Sequence, residues 1–220
     1  MKELVGEVVG NYRIESLIDE GGMGRVYRAR HIHLNRAAAI KIMLPELEAI
    51  PGYRARFLQE ARAAAALRHP NIVEVLDFGE HEGRCFIVME LVPDGSLLTL
   101  MRGQRDDRPL SLALGLDLVR QAALGLDYAH RRGMVHRDVK PANLLLEASE
   151  VSEADPRGQD RAPFFTLKVS DFGLARLREG GIETTIGKVR GTLAYMSPEQ
   201  CQGLDLDGRS DLYALGIILF

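Results

Sequence analysis

Two short segments of this chain combine residue types that can do chemistry together. The first is His136-Arg137-Asp138-Val139-Lys140-Pro141-Ala142-Asn143 and the second is Asp171-Phe172-Gly173. Between them they supply two carboxylates, one carboxamide and one ammonium. Moving a phosphoryl group from a nucleotide to a hydroxyl asks for that set. A base takes the hydroxyl proton, oxygen atoms ligate Mg²⁺, and a fixed cation offsets charge on the group in flight.

Composition bounds the chain without choosing its function. At 220 residues it can bury one good core or two small ones. A formal net charge of −3 gives no footprint for nucleic acid or an anionic membrane surface. Cys85 and Cys201 form no CxxC pair, so neither a disulfide framework nor a zinc site is expected, only small buried or half-buried residues. His31, His33, His69, His81 and His130 show no metal-ligand spacing and read as ordinary polar or packing residues. The first residues lack the apolar run of a signal peptide. Leu212 to Phe220, the longest late apolar stretch, falls far short of the ~20 residues that a membrane span needs. A reducing, cytoplasmic setting is the default expectation.

The elements that must position those groups follow from periodicity. Tyr12 to Ile18 alternates as a strand, breaks at Gly21-Gly22-Met23-Gly24 and resumes at Val26 to Ala29, which predicts a hairpin with a glycine tip. Residues 37–42 predict a third strand, and residues 72–76 and 85–89 two more. Tyr53 to Arg68 carries Phe57, Ala61, Ala64 and Ala65 at helical spacing. From Pro93 the character turns helical. Leu114, Leu118, Ala122, Leu126 and Ala129 form a core stripe that stops before Gly133. Pro93-Asp94-Gly95-Ser96 is turn chemistry between the two parts. Residues 148–163 are acidic, polar and proline-containing, and predict a flexible insertion between two strand-like pieces, residues 144–146 and 167–169, that would pair.

Taken together, HRDVKPAN, DFG and their order along the chain resemble the catalytic and metal-binding loops of the protein kinase family. The wording GGMGRVY, YMSPEQ and SDLYALG is most similar to the bacterial, eukaryotic-like Ser/Thr kinases. The resemblance covers Tyr12 to Phe220. It implies that Asp138 accepts the substrate hydroxyl proton, that Lys140 sits on the γ-phosphoryl group, and that Asn143 and Asp171 hold Mg²⁺. It implies that Lys41 holds the α/β-phosphates and that Glu60 orients it. The glycines Gly21, Gly22 and Gly24 would cradle the triphosphate, with Val26 roofing the adenine and Ile18 and Ala39 also at nucleotide-binding positions. Met89 would guard the inner pocket, and Glu90 and Val92 would give backbone contacts to adenine. Of five lysines against twenty-three arginines, two fall where the family uses a compact ammonium. Arg137 implies a pocket for an activation-loop phosphate, and Thr184 and Thr185 lie where the family autophosphorylates. Asp211 matches the helix aspartate that braces the catalytic loop. One position departs from the pattern: the family's first loop glycine falls at Asp19, which would weaken nucleotide binding.

The expected fold is therefore α+β and bilobal. A small antiparallel-sheet lobe with one helix spans residues 12–91, after an extension at 1–11, and a mainly helical lobe spans 92–220. The expected reaction is transfer of the ATP γ-phosphate to protein Ser or Thr hydroxyls, with two copies able to pair for autophosphorylation. The implied partners are ATP, Mg²⁺ and protein substrates, with no nucleic acid and no membrane contact. One rival reading is a nucleotide-binding or scaffolding module without turnover. Another is a fragment left inactive because residue 220 falls inside an apolar helix, before an arginine that the family pairs with Glu199. In that reading a membrane anchor could lie beyond residue 220.

Overall fold

The computed structural model describes residues 4–103, 110–148, 164–172 and 193–220. They divide into two compact units. Residues 4–68 and 74–91 build one, and residues 69–73, 92–172 and 193–220, where described, build the other.

The first unit is a six-stranded sheet in the order β1-β2-β3-β4-β6-β5, with every neighbouring pair antiparallel. Its strands are β1 (Val8–Val9), β2 (Tyr12–Glu20), β3 (Gly24–His31), β4 (Ala37–Met43), β5 (Val75–His81) and β6 (Arg84–Met89). Side chains alternate between faces along a strand, so β4 sorts its residues in two. Ala38, Ile40 and Ile42 enter a core with Ile14, Tyr27, Ala29, Phe86 and Val88, which Leu4 and Val9 of the N-terminal segment complete. Ala39 and Lys41 take the opposite face. Two helices follow β4: α1 (Pro45–Glu48) and α2 (Tyr53–Ala65). Helix α2 starts after Gly52, at φ +76°, buries Tyr53, Phe57 and Ala61, and packs on β5 and β6.

The second unit is mainly helical: α3 (Leu97–Gly103), α4 (Leu112–His130), α5 (Pro198–Cys201) and α6 (Gly208–Leu219), with the hairpin β7 (Leu144–Ala148) and β8 (Phe165–Val169). The Ser111 hydroxyl caps α4, which buries Leu118, Ala122, Leu126 and Ala129 against β8 and α6. Gly133, at φ +73°, ends that run as the sequence predicts. The Pro93–Ser96 turn is locked onto β7: Asp94 accepts the Ala148 N–H at 2.7 Å, and the Gly95 carbonyl accepts the Leu146 N–H at 2.9 Å.

Three local expectations differ from the structure. The sheet lobe, expected to carry one helix, has two, because Pro45 at the N-terminal turn starts the four-residue α1 ahead of α2. The strand expected at residues 72–76 begins only at Val75. Ile72 and Val73 belong instead to the helical unit, where Ile72 bridges Val169 and the Val73 N–H donates to the Val169 carbonyl at 2.9 Å. Their β-branched side chains suit pairing with β8 as well as a strand of their own. Cys85 is buried as expected, but Cys201 is exposed at the end of the four-residue α5. The expected insertion falls almost wholly outside the described residues.

Candidate active site

The candidate residues lie on both units. On the sheet, register brings four of the candidates onto one face. Val26 of β3 stands opposite Lys41 of β4, and Ala39 stands opposite Met89 of β6. Lys41 is only 7% exposed, held on the face away from the apolar core by its neighbours Ile40 and Ile42. Glu60 is half-buried on α2, which packs against β6, the strand next to β4. Gly21 and Gly24 close the β2–β3 tip through the Gly21 N–H and the Gly24 carbonyl at 2.9 Å. A Cβ on Gly24 would collide with the Ile42 backbone carbonyl, so the strand pairing itself demands glycine there. Ile18 is 50% exposed on β2 beyond a bulge. Asp19 is exposed and accepts the N–H of Glu20 at 2.9 Å, while Arg25 pairs with Glu20 at 3.2 Å. At the end of β6 the Glu90 N–H donates to the Glu74 carbonyl at 2.9 Å, and its carboxylate accepts the Glu74 N–H at 2.8 Å. Val92, half-buried, belongs to the helical unit.

In the helical unit the catalytic-loop candidates meet. Lys140 Nζ donates to Asp138 Oδ2 at 2.7 Å, a charge-assisted bond between side chains only 18% and 10% exposed. Asn143 Nδ2 donates to the Asp138 carbonyl at 2.8 Å. That commits the amide nitrogen of Asn143 and leaves its oxygen as the candidate atom for a metal. Its backbone carbonyl accepts from both the N–H and the hydroxyl of Ser170, at 2.9 and 3.1 Å. Asn143 is thereby tied to the residue before Asp171. One carboxylate and one carboxamide oxygen suit Mg²⁺, which keeps several waters and completes its shell with phosphate oxygens.

His136, fully buried, joins the same two segments. Its Nδ1 accepts the Asp138 N–H at 3.2 Å, which puts the ring proton on Nε2 and lets it donate to the Ser170 carbonyl at 2.7 Å. The imidazole packs edge-on against Phe172 at 4.8 Å. Asp171 therefore sits between two anchored neighbours. Asp171 and Arg137 both adopt left-handed backbone, with φ of +61° and +70°. Such non-glycine residues cost roughly 1–2 kcal/mol each and persist only where the surroundings over-determine them.

The surroundings of Arg137 do so. Asp211 of α6 is 1% exposed, and its carboxylate accepts the N–H of His136 at 2.8 Å, the N–H of Arg137 at 2.7 Å and His130 Nε2 at 2.7 Å. Gln200 Nε2 donates to the Arg137 carbonyl at 2.7 Å. Glu199 accepts the Ser210 hydroxyl at 2.6 Å, and that bond, with one from its own backbone, holds its carboxyl below the usual carboxylate range.

Sequence reasoning singled out Asp138, Lys140, Asn143 and Asp211, which meet in one network, but gave no role to His136, Ser170 or Gln200. For Gln200 a signal was present: Ser197-Pro198-Glu199-Gln200 is a capping box, and both of its bonds form. Thr184 and Thr185 lie outside the described residues.

Comparison with known proteins bears on all of this. The sequence description of the protein kinase domain matches residues 12–220. Serine/threonine-protein kinase PknJ of Mycobacterium tuberculosis is 43% identical over 216 residues, covering 98% of this chain and 34% of the relative. Serine/threonine-protein kinase pkn3 of Myxococcus xanthus is 42% identical over 224 residues, covering 99% and 38%. The chain thus spans less than half the length of these curated relatives. Among solved structures, the Mycobacterium tuberculosis PknI kinase domain superposes with a TM-score of 0.75 at 30% identity, covering 99% of this chain and 76% of that one. The fold is the α+β fold expected from the sequence, with a sheet lobe and a helical lobe. No helix among the described residues is long and apolar enough to cross a membrane.

Proposed function

Because this chain belongs to the protein kinase domain family, we propose that it transfers the γ-phosphate of ATP to Ser and Thr hydroxyls of proteins. The observation that carries the reading is the Asp138–Lys140–Asn143 cluster on a loop whose backbone is fixed by the buried Asp211. Asp138 takes the proton of the attacking hydroxyl as its oxygen bonds to phosphorus and the bond to the ADP oxygen breaks. Lys140, now on Asp138, turns its charge to the phosphoryl oxygens. Asn143 and Asp171 would hold Mg²⁺, which would supply positive charge to offset that of the phosphates. On the sheet, Lys41, oriented by Glu60, holds the α/β-phosphates under the Gly21–Gly24 tip. Val26, Ala39, Ile18 and Met89 surround the base. The N–H of Glu90 is spent on Glu74, so what Glu90 offers adenine is its carbonyl, with Val92 supplying the next backbone contact. The barrier falls through positioning and electrostatics.

Ser/Thr specificity is supported by Lys140-Pro141 and by the names of the relatives. Autophosphorylation of Thr184 or Thr185 between paired copies would regulate the reaction, and its ATP supply suits a cytoplasmic setting. Phosphoamino-acid analysis after incubation with γ-labelled ATP and a generic protein substrate tests the proposal. Label on serine and threonine is the expected result. Nucleotide binding with no label on protein would favour the non-catalytic module.

A further inference from the structure

Gln200 uses both ends of its carboxamide. Its Oε1 accepts the N–H of Ser197 at 3.0 Å and closes the cap of α5, while its Nε2 donates to the Arg137 carbonyl at 2.7 Å. That carbonyl belongs to the peptide unit whose N–H is that of Asp138, and this N–H donates to His136 Nδ1 at 3.2 Å. The plane leading into Asp138 is therefore held at its oxygen by Gln200 and at its nitrogen by His136. Two hydrogen bonds at opposite edges fix the rotation of a peptide plane, and with it the direction in which the next side chain leaves the backbone. The left-handed Arg137, its N–H on Asp211, needs such a hold to keep its conformation. Helix α5 is itself anchored, through the Ser210 hydroxyl on Glu199 and through Ser197, which is fully buried.

We propose that Gln200 is a positioning residue for Asp138, a clamp that sets the aim of the loop carboxylate from the helix that follows Ser197. The proposal rests on the phosphoryl-transfer reading for its kinetic consequence, but the clamp itself can be measured without turnover. A short side chain that only filled space would not need an acceptor on one atom and a donor on the other, and glutamine has both.

The two functions of the carboxamide separate by substitution. Gln200→Glu keeps an oxygen for the Ser197 N–H but turns a second oxygen toward the Arg137 carbonyl, where it can donate only when protonated. Gln200→Met loses both bonds. At neutral pH, Gln200→Glu should lower kcat about tenfold while KM for ATP stays within about twofold, as expected when one interior hydrogen bond that orients a reacting group is lost. The deficit relative to the parent should shrink as pH falls from about 8 to about 6, because a carboxyl facing a carbonyl holds its proton and donates it. Gln200→Met should show the loss without the recovery. On the same samples, amide hydrogen exchange at Arg137 and Asp138 should quicken in both variants at neutral pH, and slow again at low pH in Gln200→Glu alone once intrinsic rates are divided out. Unchanged exchange at these two amides in Gln200→Met, or a Gln200→Glu deficit independent of pH, would overturn the clamp. Quickened exchange in the two variants, beside a parent chain that transfers no phosphate, would uphold the clamp and sink the kinase reading instead.

Discussion

The carboxylate of Asp211 and the backbone of Arg137 are joined by a 2.7 Å hydrogen bond, although 74 residues separate them in the chain. The same buried carboxylate takes the N–H of His136 and the Nε2 of His130, so one side chain of α6 sets the backbone path into Asp138. Asp211→Asn would replace one acceptor oxygen by an NH₂ that faces another donor. Leaving a buried N–H without an acceptor costs about 1–3 kcal/mol. Urea unfolding should show a loss of that order, and the folded variant should transfer phosphate poorly even where it is fully native. Parental stability and parental turnover together would contradict the role given to Asp211.

Glu199 gives a pH dependence with a definite sign. Its folded pKa is held below its unfolded value, chiefly by the Ser210 hydroxyl and then by its own backbone N–H. A depressed carboxylate contributes stability that is present above the usual carboxylate range and is lost as pH falls through the folded pKa. Ser210→Ala should therefore lower Tm at neutral pH, and the two melting curves should converge in acid, below about pH 4. A constant offset at every pH would mean that Ser210 stabilises by packing alone.

How far these relations could be read in advance depended on their range along the chain. Strands β2, β3 and β4 were legible because alternation and the Gly21–Gly24 break are local signals, and α4 because its apolar stripe, Leu114 to Ala129, repeats over about four turns. Residues 136–143 were singled out by resemblance, and there Asp138, Lys140 and Asn143 do meet. The Gln200–Arg137 bond spans 63 residues, and the His130–Asp211 bond 81. Nothing in a local window announces which distant carbonyl or carboxylate a polar side chain will meet. His130 therefore looked like an ordinary polar residue. The strand expected at 72–76 failed for a related reason. Apolar β-branched residues report burial in a sheet-like pairing, but not which partner they choose, and Ile72 and Val73 chose β8. Leu4 and Val9, in a short segment before Tyr12, gave no periodic signal, yet they complete the core of the sheet.

Asp19 departs from the family pattern at the glycine tip. It is exposed, and its carboxylate turns to the Glu20 N–H instead of to Arg25. Its charge would face a triphosphate bound under the glycine tip. At ~8 Å and an effective dielectric of ~40 each unneutralised unit charge costs about 1 kcal/mol before salt reduces it. Asp19→Gly should tighten ATP binding a few-fold at low ionic strength, with the gain fading at high salt and little change in kcat. Equal affinities at both ionic strengths would show that the carboxylate is turned away and without effect.

Thr184 and Thr185 are the proposed regulatory sites. After incubation with Mg-ATP, mass spectrometry should find phosphate at one or both, absent when Asp138 is replaced. The double Thr→Ala variant should be less active, because it removes the phosphate that would pair with Arg137. A double variant as active as the parent would remove these residues from the account.

The central claim is that Asp138 takes the hydroxyl proton while other residues bind the nucleotide. Asp138→Asn keeps the shape of the side chain and removes the base. The direct measurement is transfer of label from γ-labelled ATP to protein, run beside Mg-ATP affinity for the same two proteins. The account predicts that transfer collapses by at least about a hundredfold, the low end of what general base catalysis contributes, while ATP affinity stays near parental. Near-parental transfer by Asp138→Asn would contradict it.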